Sequence, residues 1–307
     1  MKMKIVFGKV LFILLFLYGT TYSQHVAQPA VNLGLTNFLD GVAFPGLLVE
    51  QYVEYYDAYK FNNDEGNKIP NKNKLNSLSF VTHLAYITQK ELFGGNLGFE
   101  IVIPFVYLDI NQTRGPKSDE TAFGDILVSP FLLQWHNELL GRPYFHRFAF
   151  SVIFPTGKYD RKDDINTASH LYSLDPYYSF TYYLNPKLTL SARIHYLWNS
   201  DNKKPLDSYQ ADKIKPGQSI HFNYASSYEI MKNFRLGVGG YYLKQISPSK
   251  IDGKSQIGST EEVFSFGPGL YLMTSKLLQL HFNYYHEFFS VNRPQGDKFV
   301  LRLSKAF

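Results

Sequence analysis

Leu188-Thr189-Leu190-Ser191-Ala192-Arg193-Ile194-His195-Tyr196 sets an apolar side chain at every second position, with Thr, Ser, Arg and His between them. Alternation at period two is the pattern of a β-strand with one apolar and one polar face. Leu188, Leu190, Ala192, Ile194 and Tyr196 form the apolar face, and Thr189, Ser191, Arg193 and His195 the polar one. The strand is preceded by the short connection Asn185-Pro186 and followed by a long polar loop, 200–215. Ile220 to Ile230 and Leu278 to Phe288 repeat the alternation, and Lys232-Asn233 and Ser275-Lys276 are equally short connections. Short turns on one side and long polar loops on the other are the layout of a transmembrane β-barrel.

Extending this reading along the chain predicts an all-β protein, an outer-membrane barrel of about twelve antiparallel strands. The expected spans are 47–60, 74–89, 95–110, 124–136, 144–156, 171–184, 187–199, 216–230, 233–245, 262–274, 277–289 and 297–307. Most reach the roughly nine to eleven residues a tilted strand needs to cross a bilayer. Loops 61–73, 111–123, 157–170, 200–215 and 246–261, with the shorter 290–296, fall on one side, and 90–94, 137–143 and the two-residue turns on the other. Leu97, Phe99, Ile101, Ile103, Phe105 and Tyr107 make a further outward face, as do Leu278, Leu280, Phe282 and Tyr284. In 124–136 two outward sets compete, Ile126-Val128-Leu132 and Leu127-Phe131-Leu133.

Lys2, Lys4 and Lys9 precede an apolar core from Val10 to Tyr18 and the small-residue site Thr21-Tyr22-Ser23, which reads as an export signal cleaved between Ser23 and Gln24. Its loss would lower the formal net charge from +5 to about +2, and no basic run with interleaved aromatics remains, which argues against nucleic-acid binding. The chain has no Cys, so disulfides, thiol chemistry and a lipid anchor at the cleavage site are excluded. Abundant Tyr (24) and Phe (26) suit β structure and the aromatic girdles of a barrel. The expected organisation is a signal at 1–23, an N-terminal segment at 24–46 and a barrel at 47–307. That segment, with Phe38, Asp40, Phe44 and Pro45, is too broken by Gly and Pro for a strand yet too apolar for a tail, and is expected to fold into the periplasmic mouth as a plug.

Period two also selects the inward residues. Candidates for the lumen and solute path are Glu54, Glu100, Arg147, Asp175, Tyr177, Arg193, His195, His221, Arg235, Tyr241, His281 and Glu287, with Glu50, His83, Glu229 and Arg302 alongside. Such charges either pair to brace the wall or line a wet, aromatic passage. Pro104, Pro130, Pro155, Pro176 and Pro268 fall in expected strands, where they mark bulges or breaks that could open a lateral window. Ser191, His195 and Asp175 could be drawn as a catalytic triad, but Ser191 and His195 are too far apart on one strand. Asp160, Asp163, Asp164 and His170 in a loop read better as a solvated acidic run than as a cation site. No catalytic, metal or cofactor-binding residue is assigned, and no cofactor is expected.

Phe38-Leu39-Asp40-Gly41-Val42-Ala43-Phe44-Pro45-Gly46, Phe148 to Tyr159, Leu174 to Trp198 and Arg235 to Lys244 resemble outer-membrane transporters of the phenol-degradation meta-pathway family over nearly the whole chain beyond the signal. The resemblance implies passive admission of small hydrophobic or aromatic compounds, without phenol-degrading activity. Phe299, Leu301, Leu303 and Phe307 resemble the C-terminal signature read by the barrel-assembly machinery, from which Lys305 departs. Tyr22-Ser23-Gln24 resembles signal ends of exported Bacteroidota proteins. The expected partners are thus outer-membrane lipid, that machinery and a small solute. A sealed barrel acting through its outer loops (adhesion or scaffold) and a membrane-embedded hydrolase are the alternatives.

Overall fold

Among the described residues twelve strands pair antiparallel, each with its sequence neighbour, and the last pairs with the first. The computed structural model describes residues 26–70, 73–112, 117–163, 165–274 and 278–307. The expected signal and the Ser275-Lys276 turn lie outside them. In chain order the strands are β1 (Gly46–Phe61), β2 (Lys74–Leu92), β3 (Gly95–Asn111), β4 in two pieces (Lys117–Phe123 and Ile126–Leu139) and β5 (Arg142–Phe154). They continue with β6 in two pieces (Ser173–Leu174 and Tyr177–Tyr183), β7 (Leu188–Asn199), β8 (Ser219–Met231), β9 (Phe234–Gln245), β10 (Glu262–Met273), β11 (Leu278–Val291) and β12 (Pro294–Ala306). Closure leaves no free sheet edge, the condition for backbone to sit in hydrocarbon.

The alternation read from β7 holds: Thr189, Ser191, Arg193, His195 and Asn199 are buried inside, while Leu190, Ile194 and Tyr196 are exposed on the outer surface. Phe99, Phe105 and Tyr107 on β3 and Phe282 on β11 are exposed in the same way. The inside is the polar, buried side, the inverse of a soluble protein and what a lipid-facing wall requires. Each of the competing sets in β4 is outward in part, on either side of a bulge at Ser129-Pro130. Val128 lies opposite Val152, and the next paired residue, Phe131, lies opposite Phe150. The extra residue reverses the phase, so Ile126 and Val128, then Phe131 and Leu133, face out, and Leu132 turns in to pack with Tyr177.

Two expected loops are shorter than read. Lys117–Phe123 extends β4 along β3, so most of 111–123 is strand. The loop at 290–296 shrinks to Asn292-Arg293 between β11 and β12. Polar composition misled there, because Asp, Glu, Thr and Gln occupy strand positions that stand above an apolar bilayer zone. The turns Phe93-Gly94 and Leu140-Gly141 put both residues at positive φ, the backbone that matches strand twist in two-residue hairpins. The longer loops interact above the barrel, where Ile214–Lys215, Lys250–Ile251 and Lys254–Ser255 form a separate small sheet.

Candidate channel interior

Residues 26–45 run through the barrel rather than resting at one mouth. Near the long-loop end, Gln28 donates to Gly217 O (3.0 Å) and Gln245 Oε1 (2.9 Å) and accepts from Asn199 Nδ2 (3.1 Å). Midway, Gly34 N donates to Asn223 Oδ1 (2.7 Å) and Lys298 Nζ donates to Leu33 O (2.8 Å). At the short-turn end Gly41 N donates to Thr181 Oγ1 and Gln134 Nε2 donates to Gly41 O, both at 2.9 Å. The segment expected to fold into one mouth instead runs along the height of the barrel. An irregular segment has no ladder, so its buried peptide groups need side-chain partners, and the inward polar residues are those partners.

Phe38 is the apolar anchor, 1% exposed, beside Ala225 and Tyr271. It sits over Gly237 of β9 and Gly269 of β10, which are cross-strand partners. A Cβ at either would come within 2.8 or 3.1 Å of Phe38 Cζ, so the glycines form the notch that admits the ring. Phe44 lies at the short-turn rim, 61% exposed, edge-on to His136 and Phe145, and Pro45 beside it is exposed where the chain turns into β1.

Asp40 is the polar anchor. Its two oxygens accept from Arg193 Nε and Nη2, both at 2.8 Å, and its carbonyl accepts from Arg147 Nη2 at 2.8 Å. From Arg193 a chain of contacts runs around the wall. Arg193 lies over the Tyr177 ring (4.2 Å), and Tyr177 OH donates to Glu100 (3.1 Å). Glu100 meets His83 (3.2 Å), His83 meets Glu50 (2.7 Å), and Glu50 lies 3.9 Å from Arg302. Arg302 Nη2 is 2.7 Å from His281 Nε2, and His281 Nδ1 is 3.1 Å from Asn37 Oδ1. The circuit closes on the N-terminal segment, at Asn37 and Asp40. Buried charges are costly unless paired, and here the segment supplies part of the pairing.

Of the remaining candidates, Tyr241 and Glu287 meet in a second cluster: Tyr241 OH and Tyr56 OH donate to the two Glu287 oxygens at 2.8 and 2.7 Å. Lys298 stands over the Tyr241 ring and pairs with Glu54 at 3.2 Å. Arg235 lies apart near the short-turn end, bonded to Glu229 (3.1 Å) and Lys187 O (2.7 Å). Asp175, His195 and His221 form a third group. Sequence reasoning missed Asn37, Gln134, Asn223, Tyr285 and Lys298. Each wall residue among them was accessible by the same period-two count; the amides Gln134 and Asn223 carry no charge or ring to draw notice, whereas Tyr285 and Lys298 carry one and were passed over.

Tyr241, Tyr285, His221, His281, Gln245 and Glu287 are each 2% exposed or less, so side chains and the N-terminal segment together close the interior in this conformation. Four of the five prolines mark a bulge or break, Pro130 at the β4 bulge, Pro176 at the β6 break, Pro268 where the β10–β11 ladder is interrupted and Pro104 where β3 passes between the two pieces of β4, while Pro155, expected inside a strand, lies just past β5. At Pro176 the outer wall carries a hollow of about 300 Å³ lined by Phe148, Tyr178, Ile194 and Ile220, with Tyr177 and His195 also reaching it. The triad is not assembled: Ser191 Oγ bonds Thr181 Oγ1 (2.9 Å), and His195 Nε2 has no hydrogen-bond partner. In the acidic loop His170 stacks on Tyr159 (4.8 Å), and Asp164 lies outside the described residues.

No curated protein matches the chain. Among solved structures it is similar to an outer membrane channel from Pseudomonas putida F1, at 18% identity over 87% of this chain and 97% of that one, with a TM-score of 0.76. It is also similar to the transport unit of the autotransporter AIDA-I from Escherichia coli (12% identity, 85% and 90% coverage, TM-score 0.49). A mutant of TodX, a monoaromatic hydrocarbon channel, gives 8% identity, 87% and 92% coverage and a TM-score of 0.48. The first of these likenesses establishes that the twelve-stranded barrel has the fold of an outer-membrane channel. The family model described as "Putative MetA-pathway of phenol degradation" matches residues 58–303, and the chain belongs to that family.

Proposed function

We propose that this protein is an outer-membrane channel for passive uptake of small hydrophobic or aromatic molecules, gated by its N-terminal segment. The observation that carries the reading is that residues 26–45 lie in the bore without joining the ladder: they are held by side chains, so their departure would break no strand pair. Twelve strands about 4.8 Å apart and tilted near 40° make a barrel of roughly 12 Å backbone radius. Inward side chains reduce that to a bore on the order of 10 Å, room for one extended chain or one aromatic ring, but not both. Departure of the segment would bare Tyr177, Tyr241 and Tyr285 beside Arg193, Lys298 and His281. Rings with a flanking polar group suit a solute with an apolar body and a polar edge. After export and cleavage near Ser23, the C-terminal strand ending at Phe307 would engage the barrel-assembly machinery, with the long loops outside the cell and the start of β1 and the end of β12 on the periplasmic side.

The test is flux into liposomes holding the refolded protein, comparing a small phenolic with a sugar of similar size. Faster entry of the phenolic than into protein-free liposomes, without matching sugar entry, is the expected result. Equal entry of both would indicate a general pore. Entry of neither, even after deletion of residues 24–45, would overturn the channel reading in favour of a sealed barrel that acts through its outer loops.

A further inference from the structure

We propose that Asp175, His195 and His221 form a binding site for a divalent transition-metal ion in the barrel wall. The three residues come from adjacent strands. His195 of β7 and His221 of β8 are direct cross-strand partners, and Asp175 lies in the gap between the two pieces of β6. Each carboxylate oxygen faces one imidazole: Asp175 Oδ2 is 3.1 Å from His195 Nδ1, and Oδ1 is 3.1 Å from His221 Nε2. All three side chains are at most 3% exposed. A metal with bonds near 2.0–2.2 Å separates adjacent ligand atoms by about 2.9–3.4 Å, so carboxylate and ring nitrogens stand at ligand spacing.

Charge points the same way. Asp40, Glu50, Glu54 and Glu261 inside the barrel each lie within 4.0 Å of a Lys or Arg nitrogen, whereas Glu100 and Glu287 are held by hydroxyls, a histidine or a peptide N–H. Asp175, equally buried, has only the two imidazoles among the described residues. Without an ion the carboxylate is offset only if one of the two rings, stacked at 4.2 Å, carries a proton. One divalent cation would offset the carboxylate and, with the rings turned out of their 16° stack, take a lone pair from each. The second ring nitrogens, His195 Nε2 and His221 Nδ1, have no hydrogen-bond partner, so neither ring's tautomer is held from its far side. Two imidazoles and a carboxylate favour Zn²⁺, Co²⁺, Ni²⁺ or Cu²⁺ over the hard cations Mg²⁺ and Ca²⁺. The ion would tie β6 to β7 and β8 next to Pro176, where the β6 backbone is interrupted.

The experiment uses the full refolded chain in detergent, with any purification tag removed and adventitious metal stripped by a chelator. Zn²⁺ binding is followed by calorimetry and Co²⁺ binding by its visible absorption. The expected result is one ion per chain in the wild type, an affinity loss of at least about a hundredfold in H221A and D175N, and no change in H170A, which alters a half-buried loop histidine. Heat-modifiable gel mobility identifies the folded variants. Should H221A fail to fold, H195Q takes its place. Absence of one-to-one binding in the wild type, or binding that survives in folded D175N or H221A, would overturn the proposal.

Discussion

Replacing Asp40 by Ala tests the gate at its most heavily bonded point. Asp40 is buried and holds Arg193 through two hydrogen bonds of 2.8 Å. Removing one partner of a buried ion pair costs roughly 3–5 kcal/mol, mostly because the survivor is left uncompensated. Here that penalty has an outlet: when residues 26–45 leave the bore, Arg193 gains water. The cost therefore falls on the docking equilibrium of the segment and not on the barrel, whose ladder does not include Asp40. At about 1.4 kcal/mol per tenfold, the undocked population should rise on the order of a hundredfold to a few thousandfold. Two measurements report it: the cleavage rate of residues 26–45 by a protease added to liposomes, and solute flux in the same liposomes. Both should increase in D40A, while the heat-modification midpoint of the barrel stays near that of the wild type. D40N, which keeps the shape and one acceptor, should fall between them. Unchanged cleavage and flux in a folded D40A would refute a gate held by this pair, and a collapsed barrel would refute the separation of gate from wall.

The apolar anchor gives a parallel case. F38A should loosen the segment by about 3–5 kcal/mol, the usual cost of removing a buried Phe, and raise flux without altering strand pairing; flux equal to wild type would show that Phe38 does not hold the gate. On the outer wall, F282R places a charge on the lipid side of β11 and should destabilise the folded barrel in vesicles by up to about 2–4 kcal/mol, read by urea titration. Asn283 lies next to it on the inner face, so N283A should leave the barrel's urea midpoint much closer to wild type while releasing Asn37. Equal destabilisation by both substitutions would contradict the assignment of faces.

Much of the architecture was present in one-dimensional pattern. Strand number, order and facing follow from period two and the parity of loop lengths, because a wall between lipid and a polar lumen must present opposite chemistry on successive residues. That count alone places Arg193, His195, His221, His281 and Glu287 inside. It failed in β4, where the Pro130 bulge adds a residue and reverses the phase, and at the ends of β4 and β11, where strand continues beyond the apolar zone. What pattern could not supply is partnership. Asp40 and Arg193 are 153 residues apart, and Asn37 and His281 are 244 apart. Such pairs depend on strand register and on the path of a segment with no ladder of its own. The passage of residues 26–45 through the whole bore, the notch for Phe38 over Gly237 and Gly269, and the meeting of Asp175 with two histidines are decided by barrel closure. Each chain position determines which face its side chain takes; only the closed cylinder determines which other side chain it meets across the lumen.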